Sequence, residues 1–199
     1  MVQTALETLD DQTVMRLIDE FKGEVVSCIH DQNGNHVIQK CVEVLSVKEK
    51  QGCEAASERM EFILNEVLES TRDISCHPYG CRVLQRILEH CEISQRSRAL
   101  EEISSCHRDL LDDQYGNYVV QHVLQFGRES DRESILGLVI KGGLLTLSRQ
   151  KFASNVVEKL LKYGSPVQRN KVVLEMLKVS LSPFIPCFLC KTQSSFCNK

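Results

Sequence analysis

No run of apolar residues in this 199-residue chain approaches the ~20 needed to cross a bilayer as a helix. The opening stretch MVQTALETLDDQ is acidic and has no basic flank, so it does not read as a secretory or mitochondrial presequence. The expected compartment is therefore cytoplasmic, with the nucleus as the other default. No glycine-rich phosphate cradle is present: Gly142 and Gly143 form an isolated pair. Nor is there an excess of positive charge, since the formal net charge is −3. That deficit is local. Residues 46–70 hold Lys48, Lys50 and Arg59 against six glutamates, so this segment alone is −3 and the remainder is neutral. A neutral array can still carry a basic stripe on one face.

Cysteine is plentiful, with ten residues, but no disulfide framework is indicated. Cys28, Cys41, Cys76, Cys81, Cys91 and Cys106 are scattered through helical, apolar contexts, and nothing suggests an oxidising compartment. Cys187, Cys190 and Cys197 form one C-x-x-C with a further thiol, a poor zinc signal, and no metal or other cofactor is assigned. Enzyme chemistry is not indicated either. Cys81 has His77 and His90 near it in sequence, but no oxyanion element or third partner accompanies them.

What is present is one phrase written four times. It reads NGNHVIQKCV at 33–42, YGCRVLQRIL at 79–88, YGNYVVQHVL at 115–124 and FASNVVEKLL at 152–161. The steps between the equivalent Gln39, Gln85, Gln121 and Glu158 are 46, 36 and 37 residues. Self-similarity at this period indicates a stacked solenoid rather than one closed globule. A polar turn precedes each phrase, and Pro78 marks a helix boundary at one of them. Between phrases, Met60, Ile63, Leu64, Val67 and Leu68 follow helical spacing, as do Val14, Leu17, Ile18 and Phe21. Ser130 is a candidate cap for the helix that holds Ile135 and Val139. Each unit thus reads as two or three helices, with no sheet. The longer first step places an insertion at about 46–56, where VKEKQGCEAAS reads as a surface loop.

The variable positions of the phrase carry the chemistry. The first, second and fifth slots are Asn35, His36 and Gln39; Cys81, Arg82 and Gln85; Asn117, Tyr118 and Gln121; Ser154, Asn155 and Glu158. Slots one and five lie a helical turn apart on one strip, and slot two is about 100° round the helix. Two short polar side chains at that spacing suit the edge of a flat base, and slot two suits its face. Amides match the donors and acceptors of uracil, and the acceptor-only Glu matches the paired N–H groups of guanine. His, Arg and Tyr are stacking groups. Tyr79, Tyr115 and Phe152 read as packing between units, and Val37, Val83, Val119 and Val156 as core. Lys40, Arg86, His122 and Lys159 follow slot five, either as a stripe along a phosphate backbone or as an ordinary solvated edge.

HPYGCRVLQRILEHC at 77–91, DQYGNYVVQHVL at 113–124 and KFASNVVEK at 151–159 resemble the repeats of the Pumilio family of RNA-binding proteins. The similarity covers roughly residues 1–178. It implies an all-α, right-handed, crescent-shaped solenoid of three-helix repeats, with single-stranded RNA along the concave face at one base per repeat. On this resemblance an incomplete first repeat spans 1–10. Repeats follow at about 11–46, 57–92, 93–128 and 129–165, a further one starts at 166–178, and 179–199 is a divergent tail. The family's code implies guanine at Ser154/Glu158, uracil at Asn117/Gln121, adenine at Cys81/Gln85 and uracil at Asn35/Gln39, a core of GUAU. The family also implies messenger 3′ untranslated regions as targets, control of translation or decay as outcome, a monomer, and protein co-regulators on the convex side. Three other readings stay open: a protein-binding helical scaffold, a ribosome-biogenesis relative with relaxed base preference, and a fragment without independent activity.

Overall fold

The computed structural model describes residues 1–180, and all regular structure there is helical. The tail cysteines, and Phe184, Ile185, Phe188 and Leu189, lie outside the described residues. Four helices carry the repeated phrase: α4 (Gly34–Lys50), α7 (Gly80–His90), α9 (Gly116–Phe126) and α12 (Ala153–Tyr163). They pack side by side in that order, and α1 (Val2–Thr8) continues the row against α4. A second layer is formed by α2 (Asp11–Asp19), α5 (Glu54–Glu69), α8 (Ile93–Leu110), α10 (Glu129–Lys141) and α13 (Pro166–Ser180), each touching the next. The short helices α3 (Val25–His30), α6 (Thr71–Ser75) and α11 (Leu144–Arg149) lie between the layers. In the third unit the outer and short helices are fused into the single helix α8. The architecture is a solenoid of stacked three-helix repeats.

The core runs the length of the array because each helix offers apolar residues at helical spacing to its own unit and to the next. Val83, Val119 and Val156 are buried with Leu84, Ile87, Val120 and Val123, while Val37, nearer the end of the row, is half-buried. Fully burying each such side chain contributes about 1.5–3 kcal/mol. Tyr79, Tyr115 and Phe152 are half-buried beside the turns.

The turn before each of the first three phrases is closed by one side chain at a fixed place. Asp31 Oδ1 accepts from the backbone N–H of Asn33 and Gly34 at 2.9 and 2.6 Å. Asp113 Oδ1 does the same for Tyr115 and Gly116 at 2.9 and 2.6 Å. His77 Nδ1 takes the role in the second unit, accepting from Tyr79 and Gly80 at 3.3 Å. These acceptors satisfy donors that a helix start leaves orphaned.

Two local expectations are corrected. The segment read as a loop insertion is largely helix, since α4 continues to Lys50. Its charged residues find partners: Lys48 pairs with Asp11, Lys50 reaches the carbonyl of His90 at 3.3 Å, and Glu49 accepts from Gln95 at 2.8 Å. The stop is Gly52, at φ +84°, where Gly52 N–H donates to Glu49 O and Cys53 N–H to Lys48 O, a Schellman closure. Ser130 is not the cap of α10; Asp131, three residues after Arg128, accepts the Arg128 N–H at 2.8 Å.

Candidate nucleic-acid interface

The first slot of every phrase helix reaches back to the carbonyl three residues earlier. Asn35 Nδ2 donates to Gln32 O at 2.8 Å, and Asn117 Nδ2 to Gln114 O at 3.1 Å. Cys81 Sγ donates to Pro78 O at 3.7 Å, and Ser154 Oγ to Lys151 O at 3.4 Å. The two asparagines make a second bond from the same nitrogen, to Asp31 O at 2.9 Å and Asp113 O at 2.8 Å. Two carbonyls facing one end of the amide fix that end as the amino group, so Oδ1 faces outward.

That outward oxygen meets slot five. Gln39 Nε2 donates to Asn35 Oδ1 at 2.9 Å, and Gln121 Nε2 to Asn117 Oδ1 at 2.9 Å. Asn35, Asn117 and Cys81 are buried, while Gln39, Gln85 and Gln121 are half-buried and Glu158 is exposed. The sequence reading gave slots one and five equal shares in an edge contact. The structure divides the labour: slot five faces outward, and in the Asn35 and Asn117 units slot one, its amino group spent on its own turn, orients it. Ser154 is half-buried and keeps acceptor capacity. Gln85 has no amide oxygen beside it, because slot one there is a thiol. Burial pushes that Cys81 thiol up to about 11, which favours the neutral, packed form.

Slot two is the open slot. His36, Arg82 and Tyr118 are exposed, and Asn155 is half-buried. All twelve candidate residues therefore fall in one row of stacked helices, although three of the slot-one groups lie beneath its surface.

The basic residues after slot five form a charge ladder in three units. Lys40 Nζ lies 2.8 Å from Glu7 and 2.7 Å from Glu43. Arg86 bridges Glu43 at 3.5 Å and Glu89 at 2.5 Å, and His122 Nε2 lies 2.9 Å from the other oxygen of Glu89. The carboxylates of Glu43 and Glu7 push the Lys40 ammonium up from its ordinary value. The sequence left a phosphate-facing stripe and a solvated edge open for these residues; over α4, α7 and α9 each of them has a carboxylate partner. The glutamates were missed because each becomes visible only when neighbouring units are stacked. Gln3 and Glu7 of α1 stand 36 residues before Gln39 and Glu43, and α1 packs against α4 as the phrase helices pack on one another.

Comparison with known proteins places these features in a group. The Pumilio-family RNA binding repeat model matches residues 24–53, 71–104, 113–140 and 144–177. Pumilio homology domain family member 4 of Saccharomyces cerevisiae is 32% identical over 170 residues, covering 84% of this chain and 18% of that protein. Fem-3 mRNA-binding factor 2 of Caenorhabditis elegans is 30% identical over 208 aligned positions, covering 94% of this chain and 30% of that protein. Among solved structures, PUF-8 in complex with PBE-RNA superposes with a TM-score of 0.77 at 36% identity, over 87% of this chain and 48% of that one. The Puf3 RNA binding domain bound to a Cox17 RNA 3′ UTR site gives 0.74 at 36% identity, over 87% and 48%. The chain thus spans about half the length of these solved domains and less than a third of the two curated relatives.

Proposed function

The chain belongs to the Pumilio family of RNA-binding repeat proteins, and from that premise we propose that it binds single-stranded RNA in a sequence-specific way, one base to each of four phrase helices. The observation that carries the proposal is the orientation of the slot-five amides. An amide presents one N–H and one C=O side by side. Uracil offers N3–H beside a carbonyl, and adenine offers N1 beside an amino group, so a freely turning Gln is complementary to both. The buried Asn Oδ1 holds Nε2 of Gln39 and Gln121 at its own side, which fixes one polarity in both units. Gln85, beside a thiol, lacks that restraint. A fixed polarity supports uracil at the α4 and α9 units; an unrestrained Gln85 is open to either base, and adenine there is what the family's code for Cys81/Gln85 implies. Glu158 supplies two acceptors with no N–H, the complement of the guanine edge.

The exposed His36, Arg82 and Tyr118 stack against base faces, each worth about 1–3 kcal/mol. The target class is messenger 3′ untranslated regions with a GUAU core, and the outcome is control of translation or message stability. The solved Puf3 complex, with its 3′ UTR site, supports this reading. The outer layer of α2, α5, α8 and α10 is the surface proposed for protein co-regulators, on a monomer. No helix among the described residues is long and apolar enough to cross a membrane. A cytoplasmic location is part of the same proposal.

The test is selection of RNA oligomers on the purified chain beside a Ser154→Asn, Glu158→Gln double variant. The unaltered chain should enrich guanine at one position, and the variant should switch that position to uracil. Retained binding without the switch removes base reading by α12.

A further inference from the structure

The fourth unit departs from the other three in charge. Its slot two is Asn155, where the others carry His36, Arg82 and Tyr118. On the same strip of α12, one turn after Asn155, stands Lys159; Lys162 follows Glu158 by one turn, and Lys151 lies in the turn that leads into the helix. The residues equivalent to Lys151 are Gln32, Pro78 and Gln114, and those equivalent to Lys162 are Glu43, Glu89 and Gln125. The change from Glu89 to Gln125 ends the ladder, because α9 offers no carboxylate to Lys159. Among the described residues none of these three lysines has a carboxylate within ion-pair distance. Lys151 lies 5.0 Å from the Phe152 ring centroid, and Lys159 and Lys162 lie 5.8 and 5.1 Å from that of Tyr163. The one acid among them is Glu158, which is exposed and, among the described residues, has no cationic side chain within ion-pair distance.

We infer that this fourth unit holds its nucleotide by phosphate charge in place of base stacking, with Lys151, Lys159 and Lys162 as the anchoring ammonium groups. The inference rests on the RNA-binding reading above. Its physical basis is a contrast within one face. Lys40, Arg86 and His122 are committed to glutamates and release few counterions when RNA arrives, whereas the three lysines of α12 and its lead-in turn are uncommitted. Glu158 is occupied by the base edge and does not withdraw them. An asparagine amide gives a base face little to stack on, so charge must supply what stacking supplies elsewhere. Stacking then comes from three units, and the salt-dependent part of affinity from the fourth, whose Glu158 still reads its base edge.

The experiment is a salt series of fluorescence anisotropy titrations with a labelled GUAU-containing oligomer. It compares the unaltered chain, the K151Q/K159Q/K162Q variant and the K40Q/R86Q variant, with helical circular dichroism as the check on folding. Each phosphate contact to a single strand contributes a slope of about 0.7 in log affinity against log salt. The triple variant should lose about 2 of that slope, and the ladder variant should keep the slope of the unaltered chain. A second arm replaces phosphates by neutral methylphosphonates. Replacement beside the guanosine should weaken binding to the unaltered chain and leave the triple variant unaffected, while replacement between the adenosine and the last uridine should change little. Equal slopes in all three proteins, or equal effects of both replacements, overturn the inference while RNA binding stands. If the unaltered chain binds no RNA at any salt, the RNA reading has failed and this inference falls with it.

Discussion

Gln121 donates Nε2 to Oδ1 of Asn117 at 2.9 Å, and Asn117 in turn spends its own amino group on the carbonyls of Asp113 and Gln114. One residue is buried and the other half-buried, so the fold sets the polarity of an amide that faces outward. Removing the inner partner should therefore have two effects. Asn117→Ala removes the side-chain donor to the Asp113 and Gln114 carbonyls and should cost about 0.5–1.5 kcal/mol per lost bond in urea unfolding. It also frees the Gln121 amide to turn, so uracil preference at that base should fall toward parity with adenine. Asn117→Cys, which copies the second unit, should lower the uracil preference in the same way. Paired oligomers differing at that base measure this, and an undiminished uracil preference in Asn117→Cys would show that polarity is set elsewhere.

The repeat geometry predicts a sharp asymmetry between glycine and alanine at one phrase position. A Cβ on Gly80 would stand 2.5 Å from the Ile74 carbonyl oxygen, and one on Gly34 2.6 Å from that of Cys28. At Gly116 the nearest atom is Leu110 Cδ2 at 2.8 Å, a side-chain end that can move. The fourth unit already holds Ala153 there, buried in front of α11. Gly80→Ala should lose about 1–3 kcal/mol of stability through overpacking, despite the better helix propensity of alanine. Gly116→Ala should lose less. Ala153→Gly should cost only about 0.5–1 kcal/mol. Denaturant midpoints order the three, and an equal loss at Gly80 and Gly116 would refute the carbonyl contact as cause.

The repetition of the phrase was enough to read the solenoid, the row of four helices and the exposed second slots. What escaped the sequence depended on neighbours in space. The segment after Ser46 looked like a loop because Lys48, Glu49 and Lys50 are charged, yet these residues favour helix, and α2, α7 and α8 offer them partners. Gly52 was visible all along as a stop signal. Slot one looked like a contact residue because its amide, thiol and hydroxyl types vary with the code. Its burial follows from the carbonyl three residues behind it, which no pattern of types announces. The ladder of Glu7, Glu43 and Glu89 was hidden for the same reason: each acid serves the helix of the next unit.

His107 should make the array sensitive to mild acid. It is buried on α8, and neither ring nitrogen has a hydrogen-bond partner. Burial pushes its pKa below the ordinary histidine value, with Asp131 opposing in part. The folded state thus takes up a proton less readily than the unfolded chain. Stability from this residue is complete above the unfolded histidine value of about 6.5 and is lost as pH falls below it. His77 is lowered in the same sense, by burial and then by His30, whose ring centroid is 4.4 Å away. The urea midpoint should therefore drop between neutral pH and about pH 5. His107→Leu should reduce that drop without abolishing it, because His77 remains. A midpoint equally pH-dependent in His107→Leu would exclude His107 as the source.

Affinity should be modest for a face of this size. Four edge contacts at about 1–3 kcal/mol each give a gross ~4–12 kcal/mol, against association costs of about 4–15 kcal/mol. Stacking by His36, Arg82 and Tyr118 adds to the favourable side, and Asn155 adds little. The balance places the dissociation constant of this chain for a GUAU oligomer at about micromolar or weaker, since each 1.4 kcal/mol is tenfold. A full titration at moderate salt decides the point. Nanomolar binding would mean that contacts outside the twelve slots carry most of the energy, and the cations of α12 would be the first place to look.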